Sequence, residues 1–266
     1  MNLADLTARV LDRTVLDSAK ILTWDIETIP ALVEFETYDL KMRNPYIAHK
    51  NVKRPGGMFS WGAKWLHEPH TVMYRDHRSP SMLEDLWRLL DEAAYSVTYN
   101  GDGFDFKRVR GYMVRAGLPP FRMPKSIDLI KTVRQLGFES ASLDYACRMT
   151  AATDRRKVDN GGAGRIRDAL AGDEQAYKDV RVYCGGDVRA TEDLYIALLP
   201  WLKNPPHVGF AADDEPRCPR CGSTELQRDG VHQAVVIRYT QWRCLNCRGL
   251  CRTTAHSRAS VTRGVG

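Results

Sequence analysis

The stretch ILTWDIETIP, residues 21–30, sets two acids, Asp25 and Glu27, into an otherwise apolar run. Side chains alternate across a strand, so both carboxylates project from one face, about 7 Å apart along the chain. Such a pair is either the polar face of an edge strand or half of a divalent-cation site that needs acids from elsewhere. Two other segments offer them. In YNGDGFDFKR, residues 99–108, a strand runs through a turn into a helix, with Asp102 placed to cap that helix and Asp105 in its first turn. In VYCGGDVRATEDLY, residues 182–195, Tyr183 and Asp187 lie one helical turn apart and share a face. Gly185 and Gly186 between them each cost about 1 kcal/mol in a helix interior, which predicts either a kink or a group passing close to the backbone.

The remaining cation donors are thiols. Cys218 and Cys221 form one C-x-x-C pair, Cys244 and Cys247 a second, with Gly222 after the first and the alternating run VVIRYTQWR before the second. This pattern resembles a zinc ribbon, in which one tetrahedral Zn²⁺ on four thiolates stabilises a segment too short to build a core of its own. The redox reading of a C-x-x-C is weaker, because no thioredoxin-like βαβ pattern surrounds either pair. Cys251 lies close enough to Cys247 to replace it, and His232 and His256 are less favoured donors. Cys147 and Cys184 read as packing residues.

These groups need elements to position them. Five strands are expected at residues 21–28, 58–66, 71–75, 95–100 and 126–130. SMLEDLWRLLDEAA reads as a helix opened by Ser81 and Glu84 in capping-box spacing. FDFKRVRGYMVRAGL is a helix ending near Gly117, SLDYACRMT a short helix, and a longer one runs from about Asp173 to Leu202. Three early strands followed by alternating strand and helix predict an α/β fold, a mixed sheet covered by helices. Residues 31–57 read as a long basic connection, and 154–168, DRRKVDNGGAGRIRD, as a second glycine-rich basic loop. The expected domains are 1–204 and 217–266, joined by a proline-containing acidic linker at 205–216.

The 266 residues suffice for a full core, and 43% hydrophobic content marks a globular chain. Its longest apolar run is too short to span a bilayer, and the N-terminus mixes charges into its apolar residues, unlike a signal peptide. A cytosolic setting with reduced cysteines is therefore expected. The net charge of +6 is unevenly placed. Residues 217–266 hold nine arginines against two acids, a net of +7, while the first 216 residues carry 30 basic and 31 acidic side chains. Such asymmetry points to a polyanionic partner for the C-terminal segment.

D-x-E at Asp25 and Glu27, N-G-x-x-F-D from Asn100 to Asp105, and Y-x-x-x-D from Tyr183 to Asp187 resemble, in order and spacing, the three exonuclease motifs of the DEDD superfamily. The tyrosine in the last motif is similar to the subclass containing the proofreading domains of family A and family B DNA polymerases. The resemblance spans roughly residues 20–200 and implies a ribonuclease H-like domain with a five-stranded mixed sheet. Four converging carboxylates repel by up to about 4 kcal/mol per close pair at an effective dielectric of about 20, so they call for cations, and hard oxygen donors suit two Mg²⁺ or Mn²⁺. By resemblance, Asp25 bridges the two ions, Glu27 and Asp187 hold the one nearer the attacking water, and Asp105 acts on the second through its water shell. Tyr183 orients the water; a phenol with a reference pKa near 10 is a poor base at neutral pH.

The resemblance further implies that Thr28 and Ile29 lie near a terminal 3′-hydroxyl and Asn100 near the strand, whereas Phe104 is expected in the core. In the ribbon, the nine arginines with Tyr239 and Trp242 suggest a surface for phosphates and bases, Arg238, Trp242 and Arg243 being the candidate contacts, and a polymerase or other replication protein is the alternative partner. The expected activity is 3′-to-5′ hydrolysis of DNA, from single strands by preference, to nucleoside 5′-monophosphates. An exoribonuclease with the same machinery and a non-catalytic nucleic-acid-binding protein are the competing expectations, and a phage or bacterial replication setting is implied by resemblance alone.

Overall fold

The structure, a computed structural model, describes residues 19–37, 46–66, 68, 71–150, 162–203, 205–208 and 215–260. Five strands form one mixed sheet in the order β5-β4-β1-β6-β7. These are β1 (Ile21–Ile29), β4 (Gly57–Trp65), β5 (Met73–Asp76), β6 (Tyr95–Thr98) and β7 (Lys125–Asp128). All five coincide with the runs expected from the sequence. β1 is central, antiparallel to β4 and parallel to β6, and β6 is parallel to β7.

Strand alternation divides the core. Leu22, Trp24 and Ile26 of β1 pack with α1 (Met82–Glu92) and α2 (Asp105–Arg115) on one face of the sheet. Trp24 ties this layer together: its indole donates to Ser96 Oγ at 2.7 Å and its ring meets Phe106 edge-on at 5.0 Å. The other face is covered by α6 (Glu174–Leu198), capped by Asp173, which accepts the N–H groups of Gln175 and Ala176. Between them lie α3 (Leu129–Val133), α4 (Leu143–Met149) and α5 (Gly162–Leu170). Cys147 and Cys184 are buried, as expected of packing residues.

Several local expectations give way. The capping box at α1 does not form: Ser81 Oγ donates to Asp85 Oδ2 at 2.9 Å and makes no cap bond to the backbone. The glycine-rich loop expected at 154–168 is helical from Gly162 onward, where α5 packs Ile166 and Ala169 against α6; residues 151–161 lie outside the described residues. The long connection at 31–57 contains a two-stranded ribbon, β2 (Leu32–Val33) with β3 (Val52–Arg54), and its residues 38–45 lie outside the described residues.

C-terminal to these, β8 (Leu226–Gln233), β9 (Ile237–Cys244) and β10 (Leu250–Ala259) make an antiparallel sheet in the order β10-β9-β8. This sheet is docked. The four cysteines of the two C-x-x-C pairs belong to the same buried cluster as Ile21, Val97, Leu194, Tyr195, Leu198 and Leu202. Residues 205–208, read as the start of a linker, are pinned: Tyr95 Oη donates to the His207 carbonyl at 2.7 Å and Val208 N–H to the Pro219 carbonyl at 3.0 Å. Arg220 Nη2 adds a bond to the Leu202 carbonyl at 2.7 Å. Among the described residues no helix is long and apolar enough to cross a membrane.

Candidate functional site

Asp25 and Glu27 sit on the α6 side of the central strand, opposite Gly62 and Ser60 of β4. The register slips between Glu27 and Thr28, so that Phe59 has no partner on β1 and its buried ring instead stacks on Tyr177 of α6 at 5.4 Å. Bulges of this kind re-aim side chains at strand ends. Thr28 and Ile29 follow the slip, and Ile29 packs against the cluster formed by Phe59, Ile166 and Tyr177.

Asp105 reaches the same place from α2. β6 pairs with β1 only over Ile21–Thr23, which leaves the β6-facing edge of β1 open beyond that point. The Asp105 carboxylate accepts the N–H of Ile26, the residue between the two β1 acids, as well as its own N–H. Burial is the largest influence on this carboxyl, and with the nearby Asp128 charge it is pushed up to about 7 despite those two bonds.

The turn that delivers Asp105 explains its own sequence. Asn100 sits at φ +66°, in the left-handed region that Asn tolerates better than most residues. A Cβ on Gly101 would stand 2.3 Å from Thr98 Oγ1. Asp128, at the end of β7, accepts the Asn100 N–H at 2.7 Å and the Asp102 N–H at 3.2 Å and so clamps the turn. Asp102 is not the helix cap: it accepts from Ser126 Oγ at 2.7 Å and pairs with Lys131. Its short side chain is drawn to β7 and α3, leaving position 104 to open the helix. Phe104 is 38% exposed, contrary to its expected core position, and Arg108 lies over its ring at 5.3 Å.

α6 supplies the last two groups. Its helix runs unbroken through Gly185 and Gly186, and a Cβ on Gly186 would meet nothing within 4 Å. The helix is therefore not broken at the pair, and the close approach lies elsewhere. On β4, a Cβ at Gly62 would stand 2.9 Å from Cys184 Sγ and 3.1 Å from Val188 Cγ2, so this glycine lets α6 lie against the strands. Tyr183 hydrogen-bonds Asp187, and burial together with the charges of Asp187, Glu27 and Asp25 raises its phenol far above the ordinary value. Cys184 is fully buried, and its thiol is raised by that burial and then by Asp25, Glu27, Asp187 and Asp105 together. One buried sulfur thus lies within electrostatic reach of all four acids. Sequence reading passed over Asp128 and Gly62; the acid inside the apolar strand SIDLI was the available signal for the first, while nothing local marks the second.

The cysteine centre is tighter. Sγ atoms of Cys218, Cys221, Cys244 and Cys247 all lie within 4.8 Å of one another, and all four residues are buried. Cys218 to Cys247 and Cys221 to Cys244 are each 3.7 Å, far too long for disulfides. A tetrahedron of thiolates about 2.3 Å from a zinc ion has edges of roughly 3.8 Å, so the donor set fits Zn²⁺. Asn246 Nδ2 donates to Cys221 Sγ at 3.4 Å, the kind of outer-shell contact that fixes a ligating sulfur. Cys251 stands outside the group, on β10 opposite Trp242, and His232 and His256 are exposed. Among the described residues no three acid oxygens are gathered as closely as these sulfurs; mutual repulsion of the carboxylates favours that spread.

The three ribbon residues singled out as nucleic-acid contacts are not equivalent. Arg243 is paired with Asp229 at 2.6 Å, Trp242 is half-buried, and Arg238 is exposed opposite Gln233.

A family model described as RNase_H superfamily matches residues 57–199, more than half of the chain. A solved structure of the family B DNA polymerase from the hyperthermophilic archaeon Pyrobaculum calidifontis is similar in fold, with a TM-score of 0.51 at 16% identity. That similarity covers 68% of this chain and 24% of the polymerase chain. Comparison with curated proteins gives no match.

Proposed function

This chain belongs to the RNase_H superfamily, and from that premise we propose that it is a divalent-cation-dependent 3′-to-5′ exonuclease acting on single-stranded DNA ends. The observation that carries the reading is the meeting of three separate segments: Asp105 bonds the backbone between Asp25 and Glu27, and Tyr183 and Asp187 of α6 share the same electrostatic neighbourhood.

The chemistry of the donor set fits hard divalent cations, Mg²⁺ or Mn²⁺, held by Asp25, Glu27, Asp105 and Asp187. Such ions, when bound, supply charge for the attacking and leaving oxygens of a phosphodiester. The rest falls to the protein. Tyr183, kept protonated by its surroundings, can hold a water by hydrogen bonding but cannot take its proton. Thr28 and Ile29, where β1 ends beyond the register slip, would lie near the terminal 3′-hydroxyl, and the Asn100 turn with its Asp128 clamp fixes the height at which Asp105 enters. Asn100 is thereby a turn residue first. In the ribbon, the cysteine centre takes one Zn²⁺ with a structural role.

The test is a time course on 5′-labelled single strands of DNA and of RNA with Mg²⁺, Mn²⁺ or chelator. Stepwise shortening of the DNA from its 3′ end, absent in chelator, is expected. Internal products on circular single strands, or no hydrolysis with either ion, would overturn the proposal, and faster degradation of RNA would reassign the substrate.

A further inference from the structure

The ribbon's cysteine end is buried in the shared core, while much of its sheet is turned to solvent. Across the three strands one row of side chains shares a face. Tyr239 on β9 is in register with His232 on β8 and His256 on β10, and the His232 and Tyr239 ring centres are 6.3 Å apart. Arg252, opposite Gln241 on that face, lays its guanidinium over the Tyr239 ring at 3.7 Å. The acid on this sheet, Asp229, is taken by Arg243. Among the described residues Arg252 meets no carboxylate; its Nη1 donates to the Thr253 carbonyl at 3.1 Å.

We infer that this face, Tyr239 with Arg252, His232 and His256, is a binding platform for single-stranded nucleic acid, separate from the cleavage site. Tyr239 is half-buried and carries Arg252 on its ring, so the outer plane of that guanidinium and the exposed His232 and His256 rings are what stack on bases, which a duplex hides and a single strand presents. Guanidinium groups take the phosphates and stack as well. Charge complementarity selects this occupant, because residues 217–266 carry a net +7 while the remainder of the chain is close to neutral. The row replaces Trp242 and Arg238, which are out of register with it, and Arg243, whose charge Asp229 balances.

The geometry sets where along a strand it acts. Leu198, in the buried cluster that includes the four cysteines, lies about 16 Å along α6 from Asp187 at ~1.5 Å per residue. Tyr239 lies roughly 17 Å along β9 from Cys244 at ~3.3 Å per residue. The platform therefore meets a strand several nucleotides before its 3′ end, up to about ten at ~3.4 Å per step. Only this placement rests on the nuclease reading; binding itself does not.

The experiment uses the full chain, zinc-loaded, with Asp187→Asn to prevent cleavage, and follows fluorescence anisotropy of labelled dT4, dT20 and rU20 over a salt series. Tyr239→Ala and Arg252→Ala are each expected to weaken dT20 and rU20 at least about fivefold with dT4 unchanged, and Arg252→Ala alone to flatten the salt dependence as well. Arg252→Gln, which preserves the bulk of the side chain on the sheet, serves as the second variant, and zinc content verifies the fold of each. Unchanged dT20 affinity in a variant that keeps its zinc would overturn the platform, and equal weakening of dT4 and dT20 would overturn its placement away from the 3′ end. Binding of polyglutamate but not dT20 would overturn it in favour of an acidic protein partner. Loss of dT20 binding in a protein that hydrolyses nothing would leave the platform standing and end the nuclease reading.

Discussion

At the scale of single residues, the site turns on which groups carry charge before any cation arrives. Asp25→Asn or Asp187→Asn removes a donor from the proposed cation site and is expected to bring hydrolysis below detection while the thermal unfolding temperature holds. Full activity of either purified variant would refute the assignment. Tyr183→Phe keeps the ring and loses the hydroxyl that bonds Asp187; a fall of about 100-fold in the single-turnover rate is expected, with cation affinity little altered. The Asp105 carboxyl supplies a pH signature. Its value in the folded protein, about 7, lies above the ordinary 3.8, so the fold favours the protonated form. Its contribution to stability is therefore full below about pH 4 and is lost as pH rises through 7, where a buried carboxylate must form. Without added Mg²⁺, thermal stability is expected to decline from pH 5 to pH 8, and Asp105→Asn should flatten that decline. Added Mg²⁺ should restore stability at pH 8 in the parent and not in the variant; identical pH curves for the two proteins would remove Asp105 from the acidic cluster.

At the scale of elements, α6 has to be held against β1 and β4 at a fixed height, and two features of β4 do this. Gly62 admits the helix, and Lys64, 1% exposed, donates to Glu192 of α6 at 2.6 and 2.7 Å. Removing one member of a buried pair strands the other, so Lys64→Met alone should cost about 3 to 5 kcal/mol in urea unfolding. The double variant Lys64→Met with Glu192→Leu should recover most of that loss, since apolar replacement of a buried pair is often neutral. Additive losses in the double variant would show that the pair is not what clamps the helix. These elements also mark what sequence could reveal. The strands were legible because β-branched and aromatic residues at period two leave no other reading, and the acids of β1 and α6 were legible because they interrupt such runs or fall one turn apart. The clamp was not, because Lys64 and Glu192 are far apart in the chain and each looks like an ordinary surface charge. Asp102 was misread for the same reason: its partners, Ser126 and Lys131, come from β7 and α3. The glycine pair on α6 is conspicuous in sequence while Gly62, which admits the helix, is not, since helix propensity is local and the contact at Gly62 is not.

At the scale of the whole molecule, the ribbon and the nuclease fold share one core. Cys218, Cys221, Cys244 and Cys247 are buried with Tyr195, Leu198 and Leu202, and the start of β1 at Ile21 belongs to the same cluster. Four buried thiols in mutual reach cannot all ionise without a cation among them, because burial and each thiolate's charge oppose ionisation of the next. Losing Zn²⁺ would therefore reprotonate part of the centre and release its geometry, and the consequence should travel into the last turns of α6. Structural zinc contributes folding free energy directly, on the order of 10 kcal/mol in small domains, so the effect should be large. Hydrogen exchange on the full chain, with and without a zinc-selective chelator, reads it out. Amides of Leu194–Leu198 and of Ile21–Thr23 are expected to lose protection by at least about tenfold on zinc removal. Those of α1, which packs on the opposite face of the sheet, should change far less. If α6 and β1 keep their protection while only β8, β9 and β10 exchange freely, the ribbon is an appendage. If α6 and β1 loosen with the ribbon, Asp187 in the middle of α6 and the two acids of β1 depend on the zinc for their footing, and nuclease activity should fall in step with zinc content.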